Sequence, residues 1–296
     1  MNDPSQHDVP VTPDNFVTAA PVQELPVEGQ PAPPQQGQRR RQPPSLWSYP
    51  ATYTLIGINV GVYVVMLVYS HLGLHMPSPT GISSDFDPQT LLNFGASDAA
   101  RVVHGEWWRL ITATFVHVTL LHIALNMWCL WNLGVFGEPL LGRRGLVCVY
   151  VLTGIAGNMF SLVLPVLSGI DSTVAGASGS VFGIAGILIV LLSNRGLSLP
   201  WDELKSLRRQ VIFFAAINLA IGIGPQLLGI FSSSSLGHIA NSAHIGGFVC
   251  GLALGLPLFP RMMSGRIAYR HRQTQTFIVA TLLMCLVGYA ISALAR

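Results

Sequence analysis

Long apolar segments separated by short polar ones constrain this chain most. A helix needs roughly 20 apolar residues to cross the hydrocarbon core of a bilayer. The sequence has seven segments near that length, at about 51–70, 112–135, 146–167, 178–194, 210–231, 239–259 and 276–295. Only 10% of the residues are charged, against roughly 25% in soluble domains. These features predict an all-α membrane protein, a polytopic bundle of seven transmembrane helices.

The two ends of the chain differ from its middle. Residues 1–45 are rich in Pro and Gln and nearly lack large apolar side chains, which predicts a disordered tail. Residues 46–260 contain the first six apolar segments, which we expect to form the core, and residues 261–296 supply a linker and the seventh helix. The tail is a poor signal-peptide leader, so we expect the first apolar segment to be retained.

Lys and Arg are unevenly divided between the two sides of the predicted bundle. Thirteen of the 16 lie on the side of the N-terminal tail, and only Arg101, Arg109 and Arg296 lie on the other. Because cytoplasmic loops carry the excess of positive charge, this predicts a cytoplasmic N-terminus and an extracytoplasmic C-terminus. A composition rich in Ala, Gly, Pro and Arg but poor in Lys favours a bacterial plasma membrane.

The second apolar segment contains His117, His122 and Asn126, and polar groups within a membrane span are costly and tend to be functional. His122 and Asn126 are four residues apart, so they share one helix face and can reach one target. His117 precedes His122 by five residues, so one continuous helix would turn it about 140° away. We therefore expect His117 to have a separate, structural role: to form interhelical hydrogen bonds and to hold the entering loop.

A glycine-flanked serine begins the fourth segment. Residues 176–183 read GASGSVFG, which places Ser178 between Gly176 and Gly179. A serine at this position also suits a simple helix cap. Gly179 and Gly183 have the spacing of close helix packing. Taken alone, the GxSG string is weak evidence for catalysis.

The sixth segment carries a second glycine ridge beside a histidine. Residues 243–251 read AHIGGFVCG, with Gly247 and Gly251 four residues apart. Such a ridge lets two helices approach backbone to backbone. If it meets the glycines of the fourth segment, His244 comes within reach of Ser178, near the outer face of the membrane.

Three motifs in this order resemble those of the rhomboid family of intramembrane serine proteases. They are HxxxxHxxxN in the second segment, GxSG in the fourth and AHxGGxxxG in the sixth, with a Trp-Arg pair upstream. Each motif is modest alone, but their order and placement make the resemblance specific. It covers roughly residues 50–260 and implies a rhomboid-like six-helix core with one additional C-terminal helix.

The resemblance also implies roles for individual residues. Ser178 would be the nucleophile and His244 the general base, a dyad without a carboxylate. His122 and Asn126, with the backbone N–H of Ser178, would stabilise the oxyanion. Phe182 matches the aromatic residue that stacks on the base, a position that many relatives fill with tyrosine.

Other positions are predicted to be structural. In the family, residues equivalent to 71–109 form a hairpin in the membrane interface, the loop matching 232–238 caps the site, and the fifth helix gates substrate entry. The expected structural residues are His117, Trp108, Arg109, Gly176, Gly179, Gly183, Gly247 and Gly251.

The resulting hypothesis is a serine endopeptidase that cleaves transmembrane segments of single-span proteins in the lipid bilayer. We expect no cofactor, no metal and no nucleic-acid partner. A proton-coupled transporter is disfavoured because no acidic residue lies clearly within a segment. A metal site at His117 and His122 is disfavoured by their predicted separation. The main alternative is a catalytically silent rhomboid-like scaffold that binds transmembrane helices.

Overall fold

A computed structural model describes residues 48–72, 85–168, 173–197, 199–227 and 235–294. These residues belong to one compact unit, Pro44–Arg296. The predicted tail at 1–45 lies outside the described residues. So does the first half of the predicted loop at 232–238, whose second half is already helical.

The described chain is almost entirely helical, with one pair of very short strands. In chain order the elements are α1 (Pro50–His71), α2 (Pro88–Asn93), β1 (Ser97–Asp98), α3 (Ala99–Val103), α4 (Arg109–Thr112), α5 (Leu120–Ser168), β2 (Thr173–Val174), α6 (Ser178–Leu191), α7 (Trp201–Leu227), α8 (Ser235–Leu258), a 3₁₀ turn (Phe259–Arg261) and α9 (Arg266–Leu294).

Several helices have the length and composition of membrane spans. Within the described ranges, α1, α5, α8 and α9 are long and apolar enough to cross a bilayer, and α6 is a shorter apolar helix of 14 residues. Every predicted segment overlaps a helix, with α5 covering two of them. The all-α membrane fold is therefore confirmed, while the count of seven spans stays a prediction.

α5 is a helical hairpin whose bend lies at Gly142. This glycine has φ 73° and ψ 165°, a backbone conformation that residues with a Cβ rarely adopt. Before the bend, α5 reaches the C-terminal end of α6, where Gly137 faces Leu188. After it, the chain returns to the N-terminal end of α6, where Gly157 faces Gly179. The two halves of α5 therefore run in opposite directions.

α6 lies at the centre of the bundle and contacts α8 through backbone. Residues 179–188 are all buried. A Cβ atom at Gly247 would overlap the carbonyl oxygen of Gly179, and one at Gly251 would overlap that of Gly183. The two glycine ridges therefore meet, and the α6–α8 approach is closer than side chains would permit.

A buried carboxylate holds the N-terminus of α1. Glu138, only 5% exposed, accepts hydrogen bonds from the N–H of Ala51 at 3.0 Å, the N–H of Thr52 at 2.9 Å and the Thr52 hydroxyl at 2.8 Å. Helix N-termini have unpaired N–H groups and attract negative charge. These three hydrogen bonds hold the start of α1 near the bend of α5.

Arg109 organises the segment between α1 and α5. Its buried guanidinium donates to the carbonyl oxygens of Leu92 at 2.7 Å and Ala96 at 3.1 Å, and it forms an ion pair with Glu106. It also lies over the ring of Trp108, 4.5 Å from the centroid. Arg109 thus binds backbone carbonyls of this segment.

Candidate active site

The chain entering α6 is held by the segment that precedes α5. β1 and β2 pair antiparallel, with Ser97 opposite Val174. Farther along, the N–H of Gly176 donates to the carbonyl oxygen of Ala113 at 2.9 Å. These backbone contacts fix the position from which Ser178 begins α6. The Ser178 side chain itself is partly exposed.

His117 lies outside α5, contrary to the prediction of one helix from about residue 112. α5 begins at Leu120, and the Thr119 hydroxyl caps it by accepting from the N–H of His122 at 2.9 Å. The rings of His117 and His122 are therefore in edge-to-face contact, with centroids 5.2 Å apart. The expected separation of about 140° is wrong because it assumed an unbroken helix.

The same geometry gives His117 a structural contact. Its side chain is fully buried, and its Nε2 accepts from the N–H of Ala177 at 3.3 Å. When Nε2 of a neutral imidazole accepts a hydrogen bond, the ring proton is on Nδ1. In His117, Nδ1 lies 3.3 Å from the carbonyl oxygen of Phe115. The predicted separation of the histidines no longer argues against a metal, but this hydrogen bond occupies the lone pair of His117.

His122 covers the turn before Ser178. Gly176 has φ +127°, and a Cβ atom there would lie 2.7 Å from Cε1 and 2.9 Å from Nε2 of His122. Only glycine permits both this backbone conformation and this close imidazole. One turn along α5, Asn126 donates from Nδ2 to the carbonyl oxygen of His122 at 3.0 Å. The structure thus brings His122 to the serine loop, with Asn126 beside it.

The aromatic ring of Phe182 stacks on the imidazole of His244. Their centroids are 4.5 Å apart and their planes differ by 14°. Phe182 lies one turn after Ser178, and His244 follows Ala243, whose carbonyl oxygen lies against Gly179. Among the described residues, His244 Nδ1 is buried without a hydrogen-bond partner, and no hydrogen bond joins His244 to Ser178.

Gly157 of α5 lies where α6 and α8 meet, and it was not among the predicted site residues. A Cβ atom at Gly157 of α5 would lie 2.5 Å from the carbonyl oxygen of Ala243 and 3.5 Å from the Cα of Gly179. Three helices therefore meet one turn or less from Ser178 and His244. The signal in the sequence is the pair Gly154 and Gly157, whose three-residue spacing places them near one another on a helix face.

The arrangement has the components of nucleophilic catalysis. A hydroxyl lies at the N-terminus of α6, where free amides favour an anion. An imidazole is held nearby by an aromatic ring, and a second imidazole covers the adjoining turn. Trp108 and Arg109 lie in the segment before α5 and are engaged there.

Comparison with known proteins agrees with the fold and the motifs. The Rhomboid domain model matches residues 104–261. Rhomboid protease GluP of Bacillus subtilis is 34% identical over 174 residues, 57% of this chain and 30% of its own length. Rhomboid-like protease 2 of Toxoplasma gondii is 31% identical over 199 residues, 67% of this chain and 62% of its own.

A further bacterial relative aligns over more of its length. Rhomboid protease AarA of Providencia stuartii is 28% identical over 223 residues, which are 72% of this chain and 73% of the relative. The chain spans less than two thirds of the Bacillus and Toxoplasma relatives. The family model nevertheless covers more than half of this chain, including every motif from His117 to His244. The protein is a multi-pass membrane protein that belongs to the rhomboid family.

Proposed function

We propose that this protein is an intramembrane serine endopeptidase that cleaves transmembrane segments of single-span membrane proteins. The stack of Phe182 on His244, one helical turn from Ser178, is the observation that carries the proposal. A histidine base needs a second group that fixes its ring. A phenyl ring in parallel contact meets that need without a carboxylate.

In the proposed reaction the Ser178 hydroxyl attacks the scissile carbonyl carbon while His244 takes its proton. His244 then donates that proton to the departing amine, leaving an acyl-enzyme ester at Ser178. A water molecule, activated by His244, hydrolyses the ester and restores the serine. Catalytic hydrogen bonds often tighten only when substrate binds, so a bond between Ser178 and His244 is expected in the complex.

The oxyanion would be held by donors around the start of α6. The backbone N–H of Ser178 has no earlier helical turn to bond. The imidazole of His122 lies against the adjoining turn. Asn126 uses one amide hydrogen on the carbonyl oxygen of His122, which leaves the second for substrate. Each aimed donor stabilises such a transition state by about 3–4 kcal/mol.

Labelling with a fluorophosphonate tests the dyad. The probe reacts with an activated serine, so wild-type protein in detergent should be labelled, while Ser178→Ala and His244→Ala should not. Ser180→Ala is the matched control, because Ser180 is a buried serine two residues away in the same helix and should leave labelling intact. Labelling that survives Ser178→Ala would remove the nucleophile, and an unlabelled but folded wild type would favour the silent scaffold.

We also propose that substrate enters between α5 and α7. Trp128 of α5 and Phe214 of α7 are in contact there, with centroids 6.5 Å apart. Cysteines at these two positions, in a background without the four native cysteines, can be joined by a bifunctional maleimide. The cross-link should block cleavage of a reconstituted single-span substrate but leave fluorophosphonate labelling unchanged. Unimpaired cleavage would place the entrance elsewhere.

The proposed location is the bacterial plasma membrane, with the N-terminus cytoplasmic and the C-terminus outside. The division of Lys and Arg supports this orientation. Ser178 then lies toward the outer face, and the bend at Gly142 lies at the cytoplasmic face. The substrates would be cleaved near the outer end of their spans.

A further inference from the structure

A cleft of about 1060 Å³ lies between the bend of α5 and the first turns of α9. Four arginines line it. Arg143 and Arg144 follow the bend, and Arg266 and Arg270 lie one turn apart at the start of α9. All four side chains are exposed. Two elements distant in sequence therefore bring positive charge to one cleft.

Among the described residues, no carboxylate forms an ion pair with an arginine of this cleft. The ion pairs of the described residues join Arg109 to Glu106 and Lys205 to Asp202, and neither includes a cleft arginine. One carboxylate, that of Glu138, reaches the cleft wall, but its oxygens accept three hydrogen bonds from the start of α1. Four like charges gathered in this way favour an anionic ligand.

The cleft continues onto apolar surface along α9. Phe277, Ile278 and Leu282 line this part, and Ile278 and Leu282 are 55% and 64% exposed. α9 is held to the bend where Gln273 donates to the carbonyl oxygen of Leu141 at 2.9 Å. The ligand surface therefore combines a cationic end with an apolar wall that runs along a membrane-spanning helix.

We propose that the arginine cleft binds an anionic phospholipid, with its phosphate between the arginines and an acyl chain along the apolar wall of α9. Basic clefts between helices at a membrane surface suit such headgroups. Arginine is the side chain best shaped to bind phosphate oxygens in pairs. The apolar wall distinguishes a lipid from free phosphate, because only the lipid gains from covering it.

This cleft is separate from the candidate active site. Gly157 of α5 lies at the depth of Gly179, next to Ser178, and it follows Arg143 by 14 residues. At 1.5 Å per residue the two levels are about 20 Å apart. Lipid binding therefore does not depend on proteolytic activity and is measured without it.

Native mass spectrometry of the full chain in detergent tests the proposal. Phosphatidylglycerol and phosphatidylcholine with the same acyl chains are added in turn, and the bound lipid is counted. We expect phosphatidylglycerol to bind at least about tenfold more tightly, and Arg143→Gln with Arg270→Gln to remove most of that preference. Inorganic phosphate and glycerophosphoglycerol, which lack acyl chains, should not displace the lipid at equal concentration.

A matched double variant separates a site from diffuse charge. Arg195→Gln with Arg209→Gln also removes two exposed cations, but from outside the arginine cleft, and should keep the preference. Equal loss in both double variants, equal binding of the two lipids, or displacement by inorganic phosphate would overturn the proposal. If the cleft variant fails to fold, Arg266→Gln alone should still weaken phosphatidylglycerol binding, and unchanged binding would contradict the site.

Discussion

Single side chains hold the candidate site through contacts with rings and backbone. His244 is oriented by the flat face of Phe182, and the turn before Ser178 is held by His117 through the N–H of Ala177. At the N-terminus of α1, Glu138 alone binds two amides and a hydroxyl. Each contact depends on the shape or charge of one residue, so single substitutions test them.

Phe182→Leu should slow the proposed reaction more than it destabilises the fold. Leucine keeps an apolar side chain but removes the parallel ring contact, and aromatic pairs contribute about 0.5–1.5 kcal/mol beyond buried area. We expect fluorophosphonate labelling about two- to tenfold slower, with an unfolding midpoint close to wild type. Phe182→Tyr, which keeps the ring, is the control. Equal rates for Leu and Phe would deny the stack a role.

Glu138→Gln should destabilise the protein by about 1–3 kcal/mol. The amide removes the charge that favours the N-terminus of α1 and places an NH₂ group among N–H donors. Thermal unfolding in detergent measures the loss. Glu203→Gln, which changes an exposed carboxylate in the first turn of α7, should have a smaller effect. Matching losses would mean that burial at Glu138 is unimportant.

At the scale of elements, facing glycines bring the central helices into backbone contact. α6 and α8 meet at Gly179 with Gly247 and at Gly183 with Gly251. The second half of α5 joins them at Gly157. At these glycines the helices meet through backbone atoms, so the local separation is set by the carbonyl oxygens rather than by side chains.

Gly251→Ala should push α6 and α8 apart. The added methyl group would overlap the carbonyl oxygen of Gly183, and overpacking of this kind costs about 1–3 kcal/mol or more. The variant should unfold at lower temperature and label more slowly. Gly57→Ala in α1 adds the same methyl group where no atom lies within 4 Å, so its stability should not fall. A stable Gly251→Ala protein would contradict the close approach.

The sequence predicts these glycine contacts better than it predicts helix ends. Spacings of four residues repeat along a helix face, so Gly247 and Gly251 indicate a close partner without further information. The start of α5 depends on Thr119 as a cap. The apolar run begins several residues before this cap, so it predicts too early a start for the helix. The role of Glu138 depends on Ala51, which lies 87 residues away, and no local pattern reports such a contact.

At the scale of the whole molecule, α9 is peripheral to the bundle. Only 6% of the residues in its apolar span are buried, whereas α6 is buried over ten consecutive residues, 179–188. The matched family domain also ends at residue 261, before α9 begins. The core and the candidate site are therefore nearly complete without this helix.

A chain ending at Met263 should fold and retain fluorophosphonate labelling. It loses the contact of Gln273 with Leu141, so we expect a modestly lower unfolding midpoint. It should also lose selective binding of phosphatidylglycerol, because Arg266 and Arg270 leave with α9. A truncated protein that aggregates or fails to label would assign α9 a larger part in the fold.

Reporter fusions test the proposed orientation in the membrane. Alkaline phosphatase, which is active only outside the cytoplasm, should be active when fused to the C-terminus. It should be inactive when fused after Gly142, at the bend that we place in the cytoplasm. The reverse pattern would invert the bundle and move Ser178 to the cytoplasmic half.

The contact between α6 and α8 also limits how another protein can approach Ser178. A guest helix that wedged between these two would have to separate carbonyl oxygens from glycines already too close to admit one methyl group. The contact between α6 and α8 is therefore closed to an entering helix at these glycines. Any polypeptide that reaches Ser178 must therefore pass between other helices, such as α5 and α7, which meet through the side chains of Trp128 and Phe214.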